Sequence, residues 1–375
     1  MAVSRFAAIN AGSYELMLKI YEISAGKKVR ILDNVRYVME LGRETYTEKK
    51  VSFETIEKMC DILEKFTKVL EEYQVTDYVA VATSGIREAE NAEIIVDRIK
   101  VRTGLNVRLI SNSEQRLYTY KALAMYPEEY EAFSKGNTAI LDVGAGSIQI
   151  SMMDKKNIAS TQNIKIGSMR IRELLLNLSE NMKHFDTLLD ELINNDLQTF
   201  KRMFIKDKAI DNIIATGEQI TLFTKNKNTG DFDRLMTTED FMGRYKQLNT
   251  KSQDELAKEL QVTSEQATIL IPCARIYGRF IEVVGCKNLW VPGTDICDGV
   301  AMDYAMSRKK IMDKHNFDED ILNEVRGISK RYKGNTVHIQ FVRSLAVQIF
   351  DVTKKIHGLS KRERLILELA AMLHD

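Results

Sequence analysis

Apolar and polar positions fall twice into the same pattern along this chain. In FAAINAGSYELMLKI, residues 6–20, an apolar run reaches Asn10, passes through glycine and serine, and turns apolar again. In TAILDVGAGSIQISMM, residues 138–153, the same order recurs with Asp142 at the place of Asn10. Each copy reads as a strand, a glycine turn and a second strand. KVRILDNVRYVMEL, residues 28–41, offers a third strand, so the first sheet begins as an antiparallel meander. FETIEKMCDILEKFTKVLEEYQV then places Ile56, Met59, Ile62, Leu63, Phe66 and Leu70 at helical spacing. Strand DYVAVATS, helix REAENAEIIVDRIKVRTG, strand NVRLIS and helix SEQRLYTYKALAMY follow, the alternation that builds a parallel α/β layer.

The second copy runs in the same order. KNIASTQNIKIG is its third strand, residues 168–200 are helical, and strand DNIIATGE, helix SEQATILIPCARIYGRFIEVVG and strand NLWVPG complete it. A restart after about 130 residues marks a duplicated domain rather than a solenoid. The expected organisation is residues 1–130, residues 131–303 and a helical remainder, residues 304–375. The charged run SRKKIMDKH is expected to be a linker or an exposed helix.

Composition narrows the function classes. A chain of 375 residues is long enough for two or three cores. With 44% hydrophobic and 29% charged residues it is expected to be a globular protein in the cytoplasm. Its net charge of +1 gives no global field for nucleic acid or an anionic membrane. The apolar runs are too short to cross a bilayer, and MAVSRFAAINAG has no long signal-peptide core. Cys60, Cys273, Cys286 and Cys297 lack metal-ligand spacing and are expected to be buried thiols.

Two glycine turns facing one another would floor a cleft with backbone N–H groups, a concave nest for anions. In DVGAGS, Gly144 and Gly146 free the backbone, Ser147 adds a donor, and Asp142 could hold Mg²⁺. Gly12 and Ser13 stand at the matching places of the first copy. IIATGEQIT puts Thr216 and Gly217 between a strand and a helix, and VATSGIREAEN puts Thr83, Ser84 and Arg87 just past another strand. An arginine there is a natural partner for phosphate oxygens.

These stretches carry a resemblance. AINAGSYELMLKI, ATSGIREAEN, LISNSEQRLYTY, AILDVGAGSIQI, KIGSMRI, IIATGEQIT and LWVPGTDICDGVAM, over about residues 5–305, resemble the exopolyphosphatase/guanosine pentaphosphate phosphohydrolase (Ppx/GppA) family in the correct order. The resemblance implies two duplicated actin-like, ribonuclease-H-type α/β domains around a cleft, followed by an incomplete all-helical segment. It implies Mg²⁺-dependent removal of the terminal phosphate from inorganic polyphosphate or pppGpp, binding of guanosine penta- or tetraphosphate, and a homodimer. It puts Gly12, Ser13, Arg87, Gly144, Gly146, Ser147 and Gly217 on phosphates and Asp142 on metal.

The family's base is the second glutamate of an EEAR segment, and there ISNSEQRL matches Glu114 to the first glutamate and Gln115 to the second. Glu114 is then the expected substitute base, or Gln115 orients the water as a glutamine does in some GTPases. Losing general-base catalysis costs on the order of 10²–10⁴ in rate. The family also has aspartate at Asn10, asparagine at Tyr14, a small residue at Glu218, and arginine and glutamate at Cys297 and Asp298. A second reading follows: a regulatory protein that binds phosphate chains with little or no turnover. An actin-like kinase or ATPase ranks below both.

Residues 337–375 resemble the start of an HD-type metal phosphohydrolase domain, with His338 on one helix and His374–Asp375 ending another. That family's later aspartate is not reached, so these three are not expected to form a competent site. His184, His315 and His357 have no expected partner.

Overall fold

The computed structural model describes residues 3–24, 29–154, 157–178, 185–206, 209–226, 229, 231–248, 251–308 and 317–375. The expected first meander forms as β1 (Val3–Ala11), β2 (Glu15–Ser24) and β3 (Arg30–Val38), and β4 (Asp77–Ala82) and β5 (Val107–Leu109) extend it in parallel. The sheet order is β3-β2-β1-β4-β5. The second sheet repeats this with β6 (Thr138–Val143), β7 (Ile148–Asp154), β8 (Asn157–Ile164), β9 (Asn212–Thr216), β10 (Leu235–Thr237) and β11 (Asn288–Trp290). Its order is β10-β11-β9-β6-β7-β8, so β10 is an added edge strand that the hydrophobic pattern does not announce.

The register makes the duplication concrete. Asn10 lies opposite Met17 on β2 and beside Val81 on β4. Asp142 lies opposite Gln149 on β7 and beside Thr216 on β9. Both residues end a central strand where parallel neighbours deliver their carboxyl ends, the usual mouth of an α/β sheet.

β1 reads as one apolar run because both of its faces are covered. Ala7, Ile9 and Ala11 pack with helices Phe53–Glu72 and Ala92–Thr103, while Phe6 and Ala8 pack with helix Ile296–Ser307. With that last helix the chain returns to the first sheet after finishing the second. Helix Asn112–Leu123 lies against it, and Gly299 permits the approach, since a Cβ there would stand 2.0 Å from Tyr118 O. The Asn112–Leu123 helix also serves both units, with Tyr118 in the first core and Tyr120 and Leu123 in the second.

In the second unit, helix Ser264–Val284 covers the face formed by Ala139, Leu141 and Val143. Its buried Tyr277 donates a hydrogen bond to Thr216 O at 2.6 Å, with Leu141 O at 3.1 Å, clamping β9 to β6 just beneath the glycine turns. Helices Phe317–Arg331, Thr336–Val352 and Lys361–Met372 share a small core of Leu322, Val325, Ile339, Leu365 and Met372. The first of them docks on β8, where Asp320 accepts from Ile158 N at 3.1 Å.

All four cysteines are free and buried. His184, His315 and most of the charged run Ser307–His315 lie outside the described residues. No helix among the described residues is long and apolar enough to cross a membrane.

Replacing Tyr277 by Phe removes the clamp and leaves its shape. We expect urea denaturation to show a loss of about 1–2 kcal/mol; an unchanged midpoint would mean that Tyr277 does not clamp the two strands.

Candidate functional site

Between the two sheets lies a cleft lined by both glycine turns. The turns are closed alike: Gly12 N–H donates to Glu15 O at 2.9 Å, and Gly144 N–H to Ser147 O at 3.0 Å. The carbonyls of the second turn are capped by the start of helix Ser168–Leu178, whose Ser168 and Met169 amides reach Gly144 O and Ala145 O, each at 3.0 Å. Gly217 joins β9 to helix Glu218–Phe223 at φ +114°, a conformation closed to most side chains, and a Cβ there would stand 2.8 Å from Val143 O.

The two turns meet through hydroxyls. Ser13 Oγ shares hydrogen bonds with Tyr46 OH at 2.6 Å and Ser84 Oγ at 3.0 Å, and a Cβ on Gly146 would fall 2.0 Å from Tyr46 OH. Arg170 stacks 3.9 Å from the Tyr46 ring centroid, donates to Gly146 O at 3.0 Å and pairs with Glu88 at 2.9 Å. The first unit's serines and the second unit's glycine turn are thus held within contact of each other.

Of the residues singled out from the sequence, Gly12, Ser13, Gly144, Gly146, Ser147, Gly217, Asp142 and Gln115 all line this cleft. Arg87 and Glu114 are not among its lining. The Arg87 guanidinium donates to Ile110 O at 2.5 Å and to Asn112 Oδ1, bracing the loop that leads into the Gln115 helix. Glu114 is the third residue of that helix and closes its capping box: its carboxylate accepts from Ser111 N at 3.0 Å while Ser111 Oγ accepts from Glu114 N at 3.1 Å. Arg108 takes the other carboxylate oxygen. Against the effect of partial burial, the Ser111 amide and Arg108 hold the Glu114 carboxyl below its ordinary value. One residue on, the helix turns by about 100° and delivers Gln115 to the cleft instead.

The electrostatics of the cleft are one-sided. Glu15, Asp142, Glu218 and Asp295 line the cleft, and no lysine, arginine or histidine is among its described lining. Burial pushes the Asp142 carboxyl up, against the Thr119 hydroxyl that donates to it at 3.3 Å. Burial, and after it the neighbouring Glu218, push Glu15 far above the usual carboxylate range. Glu218 pairs with Arg36, which lies 3.2 Å from Asp295, and Lys19 lies 2.5 Å from Asp295 and 3.0 Å from Asp298. Asn10 Oδ1 and Tyr14 OH are buried without a hydrogen-bond partner among the described residues, and both residues line the cleft.

Among the described residues no group of three or more His, Cys, Asp or Glu is placed to hold a metal ion. That includes the carboxyl-terminal histidines: the His338 and His374 rings lie 5.1 Å apart between centroids, but His374 Nδ1 sits 2.8 Å from Ala371 O and Asp375 accepts from Asn335 N at 3.0 Å. His357 bonds Phe350 O at 2.9 Å and accepts from Leu359 N at 2.9 Å.

Glu15, Thr119, Tyr46 and Asp295 belong to the site and were not singled out from the sequence, whereas Tyr14 was noted there as a departure from the resemblance. Glu15 directly follows Tyr14, and Thr119 is one helical turn past Gln115, so adjacency could have found them. Tyr46 and Asp295 are brought in by packing alone.

Comparison with known proteins agrees with this architecture. Over 147 residues the chain is 22% identical to exopolyphosphatase 1 of Mycobacterium tuberculosis, a match that covers 39% of this chain and 42% of that one. It spans less than half the length of that relative. Over 375 residues it is 19% identical to the guanosine-5'-triphosphate,3'-diphosphate pyrophosphatase of Photobacterium profundum, covering 99% of this chain and 72% of the relative. The fold matches the crystal structure of an Aquifex aeolicus Ppx/GppA family member at a TM-score of 0.66 and 22% identity, over 84% of this chain and all of that one. It matches an exopolyphosphatase from Cytophaga hutchinsonii at 0.68 and 19% identity, over 81% of this chain and 97% of that one. Residues 19–306, which hold the second sheet, all of the first but β1 and the start of β2, and most of the cleft lining, match the model of the Ppx/GppA phosphatase family, to which this chain belongs.

Proposed function

We propose that the cleft holds a chain of linked phosphates, as inorganic polyphosphate or on a guanosine nucleotide, and releases the terminal phosphate slowly. The observation that carries this reading is the position of Gln115, which lines the cleft together with the glycine turns while Glu114 is held outside by Ser111 and Arg108. The turns let phosphate oxygens approach backbone N–H groups without meeting a Cβ, and Ser13 and Ser147 add hydroxyl donors. The Gln115 amide oxygen accepts from a water and aims it at the terminal phosphorus. A P–O bond forms to that water, the anhydride P–O bond breaks with its electron pair leaving on the shortened chain, and the water proton departs with the released phosphate. Positioning supplies the rate, without proton transfer to a carboxylate.

The oxygen donors offered to a hard cation are Asp142 and the unpartnered Asn10 Oδ1. One carboxylate and one amide fit Mg²⁺ arriving with the phosphates that complete its shell, rather than a resident ion. Bound there, Mg²⁺ would neutralise phosphate charge. A second reading, binding without turnover, is favoured by the state of the other carboxylates: Glu15 is pushed up, and Glu218 and Asp295 are occupied by Arg36 and Lys19.

The deciding experiment measures phosphate release from long-chain polyphosphate and from pppGpp with Mg²⁺, beside calorimetric binding of both. Binding with no release would leave the second reading. Where release is found, Gln115→Glu should raise it by at least about tenfold, part of what a general base contributes. Glu114→Gln should keep it within about twofold, because the lost group only caps a helix and pairs at the surface. If Glu114→Gln abolishes release while Gln115→Ala is mild, the assignment is overturned.

Affinity should also depend on pH. Glu15 is neutral below its raised value and gains a negative charge above it, facing Glu218, Asp295, Arg36 and the Tyr14 hydroxyl. Polyphosphate binding should therefore weaken as pH rises toward 10, and Glu15→Gln should flatten that decline. Equal declines in both proteins would place the titration elsewhere.

A further inference from the structure

One part of the cleft is built around a cation that the acids screen from it. Arg36 reaches in from β3, pairs through Nη1 with Glu218, and has Glu15 Oε1 at 3.5 Å from the same nitrogen and Asp295 Oδ2 at 3.2 Å from Nη2. The three acids line the cleft and the arginine stands behind them, with 31% of its side chain open to solvent. Asp295 already has a second cation in Lys19, so Glu218 is the acid that Arg36 chiefly serves. A guanidinium fork grips a carboxylate and a phosphate in the same way. Glu218 therefore occupies the place on Arg36 that a phosphate group would take.

A second, independent feature of the same cleft is a hydroxyl that lacks an acceptor. The Tyr14 hydroxyl is buried, at 6% exposure for the residue, and has no hydrogen-bond partner among the described residues. Tyr14 lines the cleft beside Glu15, and burial, followed by the charges of Glu40, Glu218 and Glu15, keeps its proton in place. It is a donor without an acceptor.

We propose that Arg36 and Tyr14 form a phosphate-receiving subsite of the cleft, and that Glu218 is its built-in occupant, displaced when a phosphate chain enters. The proposal rests on the reading of the cleft as a phosphate-chain site and adds where the cation comes from. Glu218 belongs to the second unit and Arg36 to the first, so the exchange swaps a protein tie across the cleft for one made by the ligand.

The experiment is a double-mutant cycle read by calorimetry on the full chain, with tripolyphosphate as the inorganic probe and guanosine tetraphosphate as the nucleotide one. If the Glu218-paired form outweighs the open form by about ten to one, Glu218→Gln tightens binding about tenfold. The same substitution in an Arg36→Gln background should change affinity by less than about twofold, since its gain passes through Arg36. Arg36→Lys keeps the charge without the fork and should retain only part of the gain, which guards against misfolding of Arg36→Gln. Tyr14→Phe should weaken binding with Glu218 present or absent. Coupling seen with tripolyphosphate assigns the subsite to the phosphate chain itself; coupling confined to guanosine tetraphosphate assigns it to a nucleoside-borne chain. An equal gain from Glu218→Gln with and without Arg36 would show simple relief of repulsion and overturn the proposal, as would binding to the unaltered protein that Glu218→Gln does not tighten. If neither probe binds any variant, the phosphate-chain reading falls first and this proposal with it.

Discussion

The site depends on one helix being wedged between two sheets. Asn112–Leu123 gives Tyr118 to the core of the first unit and Tyr120 and Leu123 to the core of the second. Its polar residues are fixed as firmly: Tyr118 accepts from Arg108 at 2.9 Å, Thr119 donates to Asp142, Tyr120 bonds Ser151 Oγ at 2.5 Å, and Lys121 pairs with Asp303. Arg116 donates to Thr161 Oγ1 at 2.7 Å and lies 3.9 Å from Glu324, which brings the docked carboxyl-terminal helix into the same frame. With the helix committed to both cores and to these polar partners, the rotation that presents Gln115 to the cleft is fixed. Gly299 is part of the same constraint, because any side chain there would push helix Ile296–Ser307 off Tyr118 and loosen both cores at once.

That commitment explains what the sequence shows and what it hides. The two hairpins, their strand order and the helix that follows each could be read from spacing, because each element there has one buried face or is buried throughout. The wedge helix has no single apolar stripe, so its pattern places it on neither sheet, and a division at residue 130 follows naturally from reading it as a tail. The exchange between Glu114 and Gln115 was legible in a different signal. Ser111 and Glu114 make the S-x-x-E spacing of a capping box, which assigns the glutamate to the helix end by spacing alone. Arg87 gave no such signal, since its carbonyl partner Ile110 comes from another element.

Charge is the second level of organisation, and it was legible only as isolated residues. Glu15, Glu218 and Asp295 are far apart in the chain and converge because β2, the start of helix Glu218–Phe223 and the cap of helix Ile296–Ser307 meet at one end of the cleft. Such a convergence cannot persist fully ionised at low dielectric, so the protein neutralises it by two routes: Arg36 and Lys19 take up charge, and Glu15 keeps its proton. Each of the three acids is thus already held by a cation or a proton.

Asn10 takes a physical role from the same charge balance. It stands at the strand end equivalent to that of Asp142, where the family resemblance has an aspartate. A fifth carboxylate on a lining that carries four acids and no cation would add repulsion that neither Arg36 nor Lys19 is placed to relieve. An amide keeps an oxygen for a cation and an N–H for a phosphate without that charge. The asymmetry between the two hairpins is therefore coupled to the acids that gather in the same cleft. With Gln115 also on the lining, two amides stand where the family resemblance has carboxylates, and both lower the negative charge of the cleft.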